Sequence, residues 1–291
     1  MNGGCNCVGV LGSTLGAGVS RWMKKYSLSA DNLISATVAT ANGSLITVDG
    51  DSNADLVWAL RGAEPNFGIV TSAAMNAFPI SADESVGGQY WPGELTFSAY
   101  KLEAFGSAIN ELYLNENMTV HWGFSLDQDS GEPIINAEVF WMAPDAVAGR
   151  EAFRTLYALE PEDDTTQMFS HVHLNDDTAA FCEDGGRKPG WYTGLRTLDP
   201  NAFRAVWDLY VDFVNATGAT NAGVLVECYS NDAVRQQDLQ DSASYAHRDI
   251  NFYAMTIPTY NDPELDSVAE TYGQAVREIW KESSGFEQSR A

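Results

Sequence analysis

The stretch that decides the fold is GGCNCVGVLGSTLGAG, residues 3–18. Six glycines and two cysteines fall within the first 18 residues, a density typical of a loop that passes close to a ligand. Glycine has no Cβ, so such a loop can adopt positive φ angles and turn its backbone N–H groups toward anionic oxygens. Glycines 9, 12, 16 and 18 therefore favour a cofactor-cradling loop, with a tight structural turn as the alternative.

The neighbouring sequence excludes two nucleotide-binding motifs and predicts a helix. Residues 9–18 lack the Lys-Ser/Thr pair of a P-loop and do not follow a strand with the spacing of the Rossmann fingerprint. In residues 19–28, VSRWMKKYSL, the apolar side chains recur at i, i+3, i+4 and i+7. We predict that the glycine loop leads into the N-terminus of this helix, which favours anionic oxygens.

Composition limits the partners. The 291 residues are 45% hydrophobic, mean hydropathy is -0.21, and 40 acidic against 16 basic residues give a net charge of -24. This charge repels phosphate backbones and anionic membrane surfaces, so nucleic acid is not an expected partner. No run of residues approaches the roughly 18 consecutive apolar residues of a membrane span, so no membrane partner is expected either.

The next segment predicts a β-hairpin, a helix and a strand. Residues 33–50 contain two β-rich runs around Asn42-Gly43, the dipeptide typical of a two-residue type I′ turn. Residues 51–62 predict a helix with Ser52 or Asn53 as N-cap. Residues 66–80 predict a strand that ends at Pro79.

From Ser81 onward the predicted elements become longer and alternate. We expect about five strands and three or four covering helices, which indicates an α+β fold with an antiparallel sheet and helices on one face. The predicted strands are 87–93, 121–127, 132–142, 222–229 and 249–260, and the predicted helices are 97–114, 144–159, 201–218 and 262–284. This change of pattern predicts a domain boundary near residue 80.

The cysteines leave several interpretations open. Four cysteines are too few for a disulfide scaffold in a chain of this size. Cys5 and Cys7 could join His171 and His173 in a zinc site, since residues i and i+2 of a strand share a face. Alternatively, Cys7 is a small buried hydrophobic residue. Cys5 among glycines is expected to be an accessible thiol that can form a covalent bond.

Three further features are candidates for a site. The pair His247-Arg248 is either a hydrogen-bonding device at the start of a strand or a source of a catalytic base. Residues 182–194, CEDGGRKPGWYTG, mix aromatic and polar side chains in the way binding loops do, with a simple connection as the alternative. Aromatic side chains in the predicted strands could bind a sugar or another metabolite, with packing in the core as the alternative. These residues are Trp91, Trp122, Phe124 and Trp141.

In order and spacing, residues 3–18, 24–48 and 54–80 resemble one family. They are similar to the second half of the FAD-binding domain of the berberine-bridge-enzyme-like (BBE-like), FAD-linked oxidoreductases, which are vanillyl-alcohol-oxidase-type flavoproteins with a PCMH-type FAD-binding domain, common in fungal secondary metabolism. Residues 194–213, 224–229 and 245–255 resemble the family's substrate domain more loosely. The resemblance implies the C-terminal part of a FAD-binding domain at 1–80 and an antiparallel-sheet substrate domain with covering helices at 81–291.

The resemblance also implies the cofactor-binding residues. Cys5 falls where bicovalent members have the cysteine that is bonded to flavin C6. The flavin-side loop of the family matches Gly9, Gly12, Ser13, Thr14, Gly16 and Gly18. The strand whose backbone touches the cofactor matches Gly68, Ile69 and Val70. Ala17 and Ser20 stand where the family usually has glycine.

The implied reaction is oxidation of a small-molecule substrate. Hydride passes from a substrate carbon to flavin N5 while a base removes a proton, and O2 then reoxidises the flavin. A gapless count places Thr256 near the position of the glutamate base of plant members, and threonine cannot serve as that base. Tyr253, Glu227 and Tyr192 are the remaining candidates, so the catalytic residue stays open.

The family pattern extends beyond both ends of this sequence. Its first FAD subdomain, with the histidine that bonds the flavin 8α-methyl, would precede residue 1, and a strand and helix that close over the flavin would follow residue 291. We therefore expect the chain as written to bind FAD poorly or not at all. The alternative function is that of a non-catalytic remnant, or a truncated gene model, of such an enzyme.

Overall fold

The computed structural model describes residues 3–63, 66–80, 88–176, 178, 182, 184–236 and 241–287. The chain divides into two compact units. The first comprises residues 1–88, 171–183 and 229–249, and the second comprises residues 89–170, 184–228 and 250–291. Residues 1–80 thus lie in the first unit together with segments from later in the chain, while their assignment to a FAD-binding domain stays a prediction.

The first unit is built on a three-stranded antiparallel sheet of order β2-β1-β3. Its elements are helix α1 (Val10–Gly16), helix α2 (Met23–Tyr26), a 3₁₀ turn (Ala30–Asn32), strands β1 (Leu33–Ala39) and β2 (Leu45–Val48), helix α3 (Ala54–Leu60) and strand β3 (Ile69–Met75). Leu15, Val38, Val48 and Leu60 belong to one small apolar core, which joins α1 and α3 to the sheet.

Two predictions for the start of the chain are wrong. Residues 10–16 form an α-helix rather than a glycine loop, and the predicted helix 19–28 is reduced to residues 23–26. Burial of Leu15 in the core stabilises α1 despite its glycines, because tertiary packing contributes more than intrinsic propensity in a helix this short. The chain then turns at Gly18, whose φ of 71° suits glycine.

The predicted hairpin is confirmed, but not its turn type. Strands β1 and β2 pair from Ala36↔Val48 to Ala39↔Leu45, so the connection is longer than two residues. The N–H of Gly43 donates to the carbonyl of Thr40 at 2.9 Å. A type I′ turn needs positive φ at both Asn42 and Gly43, and only Gly43 has it. Helix α3 and strand β3 are confirmed, with Asn53 at the N-cap position of α3.

The second unit is an eight-stranded sheet of order β7-β4-β6-β5-β10-β11-β9, with β8 paired to β4. The strands are β4 (Gln89–Ser98), β5 (Met118–Leu126), β6 (Pro133–Trp141), β7 (Asp163–Asp164), β8 (Phe169–Ser170), β9 (Trp191–Leu195), β10 (Gly223–Tyr229) and β11 (Phe252–Ile257). The helices are α4 (Leu102–Glu111), α5 (Ala146–Ala152), α6 (Arg154–Tyr157), α7 (Pro200–Thr217) and α8 (Asp266–Glu282). The α+β fold with an antiparallel sheet is confirmed.

Packing gives the two faces of this sheet different characters. Trp122 lies opposite Ala137, and its ring contacts Phe105 of α4 and Phe203 of α7 at centroid distances of 6.0 and 5.0 Å. The helix-covered face therefore holds the core. The proposed metabolite-binding aromatics all belong to this core, so that interpretation is wrong; Trp91, Trp122, Phe124 and Trp141 are at most 9% exposed. Among the described residues, no helix combines the length and hydropathy needed to cross a membrane.

Candidate functional site

One face of helix α1 carries four of the predicted cofactor residues. Gly9, Gly12, Ser13 and Gly16 are spaced at i, i+3, i+4 and i+7, which places them on one side of the helix. The three glycines are exposed, and a Cβ added at any of them would meet no atom within 4 Å. We call these four residues the glycine face.

No packing contact within the described residues accounts for the glycines of this face. A glycine inside a helix costs about 1 kcal/mol relative to alanine, and Gly12 and Gly16 could accept a side chain without a clash. Gly18 differs, because a Cβ there would lie 2.3 Å from Ser29 Cβ. A bare helix face of this kind lets a flat group approach the backbone closely, which fits a flavin.

Thr14 points away from the glycine face. Its side chain is 1% exposed, and Oγ1 lies 3.9 Å from the sulfur of Met75 on β3. The side chain of Thr14 is therefore not available to a ligand on the glycine face of α1.

The predicted β3 residues lie at a sheet edge. Within the described residues β3 pairs only with β1, so one row of its backbone groups points away from the sheet. Ile69 is 71% exposed, whereas Val70 packs against the core. Gly68 has a φ of 140°, and a Cβ there would lie 2.7 Å from the carbonyl oxygen of Ala39. Glycine at 68 is thus required for the close pairing of β3 with β1, while a backbone contact from this edge to a cofactor is sterically feasible.

Three cysteines, Cys5, Cys7 and Cys182, lie close together in the first unit. Cys7 forms a disulfide with Cys182, with Cα atoms 5.6 Å apart, and Cys5 keeps a free thiol. Cys7 is exposed, so its interpretation as a small buried hydrophobic residue is wrong. The pairing spans 175 residues of sequence, and no local pattern signals it.

The proposed zinc site of two cysteines and two histidines does not form. Residues 171–173 are a 3₁₀ turn rather than a strand, so His171 and His173 do not follow strand alternation. His173 Nδ1 instead lies 2.8 Å from Asp176 Oδ2, and this hydrogen bond lowers the pKa of Asp176. Among the described residues, the cluster with metal-ligand spacing consists of Cys5, Cys7 and Cys182.

Two roles were considered for the pair His247-Arg248, and Arg248 has the structural one. Its guanidinium binds Asp31 in a bidentate manner, with Nη2–Oδ1 at 2.6 Å and Nη1–Oδ2 at 3.0 Å. Both side chains are buried, at 5% and 1% exposure. His247 is exposed, and its ring lies edge-on to Tyr245. The ion pair thus ties the 229–249 segment to the start of β1 within the first unit.

Hydrogen bonds and an ion pair fix the glycine-rich segment before β9, so it is more than a simple connection. Arg187 exchanges backbone hydrogen bonds with Tyr260, and its side-chain Nη1 lies 3.3 Å from Asp266 Oδ2. Strand β9, which sequence patterns missed, begins at Trp191, whose ring packs against Gly273 of α8. A cavity of about 570 Å³ lies here; its lining includes Arg187, Lys188, Trp191, Tyr260 and Glu270.

Strand register separates the candidate bases. Thr256 pairs with Val224 and Trp191 on the helix-covered face and is 1% exposed. Glu227 pairs directly with Tyr253. Each lies an odd number of positions from the Val224–Thr256 pair on its strand, so both side chains lie on the opposite face of the sheet, which we call the second face. Both are half-buried. Tyr192, opposite Met255, shares this second face and is 62% exposed.

Sequence reasoning missed a polar group on the same second face. His121 lies opposite Glu138, which lies opposite Glu94. His121 Nδ1 is 3.4 Å from Glu138 Oε2, and Asn136 Nδ2 donates to Glu94 Oε2 at 3.1 Å. The alternation of polar Thr119, His121 and Ser125 with apolar core residues in β5 is the signal that could have found it.

Sequence comparison gives two informative relatives. The FAD-linked oxidoreductase hasG of Aspergillus fumigatus is 29% identical over 292 residues, covering 96% of this chain and 60% of that protein. The FAD-linked oxidoreductase anuG of Penicillium roqueforti is 30% identical over 297 residues, covering 96% of this chain and 56% of that protein. No protein-family model matches the chain. The chain thus spans less than two thirds of the length of these relatives.

Comparison with solved structures identifies the fold. BBE-like 1 of Physcomitrella patens superposes with a TM-score of 0.78 at 15% identity, covering 97% of this chain and 62% of that one. The chain is similar in sequence to fungal FAD-linked oxidoreductases and has the fold of BBE-like proteins. A xylooligosaccharide oxidase from Myceliophthora thermophila shares this BBE-like fold, with a TM-score of 0.75 at 21% identity, 94% of this chain and 59% of that one.

Proposed function

We propose that this BBE-like chain is part of an FAD-linked oxidoreductase that oxidises a small molecule of secondary metabolism, with O2 as the reoxidant. The observation that carries this proposal is the match to curated FAD-linked oxidoreductases along 96% of the chain. The exposed glycine face of α1 supports it, because the face coincides with residues that the family resemblance assigns to the flavin.

The first unit would supply the cofactor contacts. Gly9, Gly12, Ser13 and Gly16 would lie against FAD, the free edge of β3 at Gly68–Val70 would offer backbone groups, and Cys5 would be the covalent tether. FAD, when bound, accepts a hydride from a substrate carbon at N5. The protein's share of the chemistry is to orient the cofactor, to exclude water and to take up the substrate proton.

The second face of the large sheet would supply the substrate contacts. It combines a carboxylate, Glu227, with the phenols of Tyr253 and Tyr192 and with the His121–Glu138 pair. Solved structures with this fold include a complex of berberine bridge enzyme with (S)-reticuline and one of the xylooligosaccharide oxidase with xylobiose. A small organic substrate is therefore proposed, and we assign Glu227 as the proton acceptor.

Spectroscopy of the protein expressed from its gene tests this function. In contrast to the weak FAD binding expected from the sequence, the proposal requires a flavin absorption band that bleaches when a substrate is added without oxygen and returns on admission of air, with formation of hydrogen peroxide. A panel of alcohols, amines, (S)-reticuline and xylobiose provides the candidate substrates. Purified folded protein that neither contains flavin nor takes up added FAD would contradict the proposal and favour a non-catalytic relative.

The glycine face makes a separate prediction. The substitution Gly12→Leu fills the open surface with a good helix former, so we expect weaker FAD binding without loss of stability. The affinity for FAD should fall by at least about tenfold, while the free energy of unfolding stays constant or rises by up to about 1 kcal/mol. Titration with FAD and urea unfolding measure the two effects.

The matched control for Gly12→Leu is Gly218→Ala, at the C-terminus of α7. A Cβ at Gly218 would also meet only open space, but the φ of 67° there disfavours alanine, so this change should lower stability slightly and leave FAD affinity unchanged. Unaltered FAD affinity in Gly12→Leu would show that the glycine face does not contact the cofactor.

A further inference from the structure

We propose that Cys5, Cys7 and Cys182 form a thiol–disulfide exchange site, in which Cys182 pairs with either Cys7 or Cys5. In the structure the bond joins Cys7 to Cys182. The free Sγ of Cys5 lies 3.0 Å from Cys182 Sγ and 3.4 Å from Cys7 Sγ. A third thiol this close to both sulfurs of a disulfide can exchange with it once rotation of the Cys5 side chain brings its sulfur into line with the bond that breaks.

The protein holds these cysteines together by contacts other than the disulfide. Hydrogen bonds join the first residues of the chain to the 171–182 segment; they link Asn175 Nδ2 to the carbonyl of Gly3 at 3.0 Å, Asn6 Nδ2 to Asp176 Oδ1 at 3.3 Å, and Cys5 Sγ to the carbonyl of Thr178 at 3.5 Å. Arg21 further fixes Asn175, with Nη1 2.6 Å from Oδ1. Exchange of the bond therefore leaves all three sulfurs in reach of one another.

The exchange is balanced without an added oxidant or reductant. The Cys5 thiolate attacks Cys182 Sγ, a bond forms between Cys5 and Cys182, and the Cys7–Cys182 bond breaks. The electron pair of the broken bond stays on Cys7, which takes up the proton that Cys5 lost. Cys7 is exposed and Cys5 and Cys182 are half-buried, so water can carry this proton.

The consequence concerns Cys5 and rests on the proposed function. When Cys182 is bonded to Cys7, the thiol of Cys5 is available to the flavin. When Cys182 is bonded to Cys5, the tether is blocked and Cys7 carries the free thiol. The exchange site would thus decide whether a covalent flavin bond can form, whereas the exchange itself needs no flavin.

Disulfide mapping of the flavin-free chain tests the exchange. The protein is unfolded in acid, its thiols are alkylated, and the peptides are identified by mass spectrometry. In the wild type we expect molecules alkylated at Cys5 and a second population alkylated at Cys7. In Cys7→Ser we expect a Cys5–Cys182 disulfide, at least about tenfold more abundant than in the wild type. In Cys5→Ser the Cys7–Cys182 bond should be the sole isomer.

The matched control is Cys228→Ala in the second unit. Cys228 is buried, and burial raises the pKa of its thiol, so its removal should leave the disulfide pattern unchanged. The proposal is overturned if wild-type protein is alkylated at Cys5 but never at Cys7, even after long incubation. It is also overturned if Cys182 stays a thiol in folded Cys7→Ser, or if metal analysis finds stoichiometric zinc on the three thiolates. Because FAD is left out, these outcomes do not depend on oxidoreductase activity.

Discussion

Replacing Glu227 by glutamine is expected to lower kcat by about 10²- to 10⁴-fold, the range for loss of a general base. Glutamine keeps the shape of the side chain but cannot accept a proton. The strand register is the reason for choosing this residue, since Glu227 and Tyr253 lie side by side on the second face of the sheet while Thr256 is buried in the core. KM should change less than kcat, because the amide can still contact the substrate.

Anaerobic stopped-flow reduction of the bound flavin by the best substrate from the panel measures this effect. Flavin content must equal that of the wild type, so that the loss can be attributed to proton uptake. Glu132→Gln serves as the control, since Glu132 is an exposed carboxylate beside the β5–β6 turn and should leave the rate unchanged. A rate for Glu227→Gln within a factor of about three of the wild type would remove Glu227 from the role and direct attention to Tyr253.

Loss of the Asp31–Arg248 ion pair should produce the largest change in stability. We expect Asp31→Asn to lower the free energy of unfolding by about 3–5 kcal/mol, because it leaves the guanidinium of Arg248 buried without a counter-charge. The carboxylate also accepts hydrogen bonds from the hydroxyl of Ser27 and the N–H of Leu28, and Arg248 donates to the carbonyl of Val234. Several segments of the first unit would therefore loosen together.

Urea unfolding gives the magnitude, and hydrogen exchange of peptides from β1 and residues 229–236 gives the location. The double variant Asp31→Leu with Arg248→Met should cost less than the two single changes combined, since it leaves no unpaired charge. The exposed pair Glu103–Arg204 in the second unit provides the comparison, and Glu103→Gln should cost less than about 1 kcal/mol. A cost for Asp31→Asn as small as that of Glu103→Gln would contradict a buried, energetically important pair.

Local patterns predicted the elements that depend on neighbouring residues. Apolar periodicity located α4, α7 and α8, and alternation located most strands of the large sheet, because burial of one face repeats with the period of the backbone. The errors arose where tertiary packing opposes local preference. Leu15 enters a core that stabilises a helix across glycines, and Trp191 packs on α8 so that the segment after a glycine-rich loop becomes an edge strand.

The amino-acid sequence by itself determined the resemblance to FAD-linked oxidoreductases and the spacing that places Gly9, Gly12, Ser13 and Gly16 on one side of the helix that they form. Only the tertiary structure decided that Cys182 pairs with Cys7 beside a free Cys5, that Arg248 neutralises Asp31, and that Glu227 rather than Thr256 lies on the second face. The physical reason is distance along the chain. Helical and strand periodicity report on residues a few positions apart, whereas these contacts depend on chain folding across many intervening residues, which no short pattern encodes.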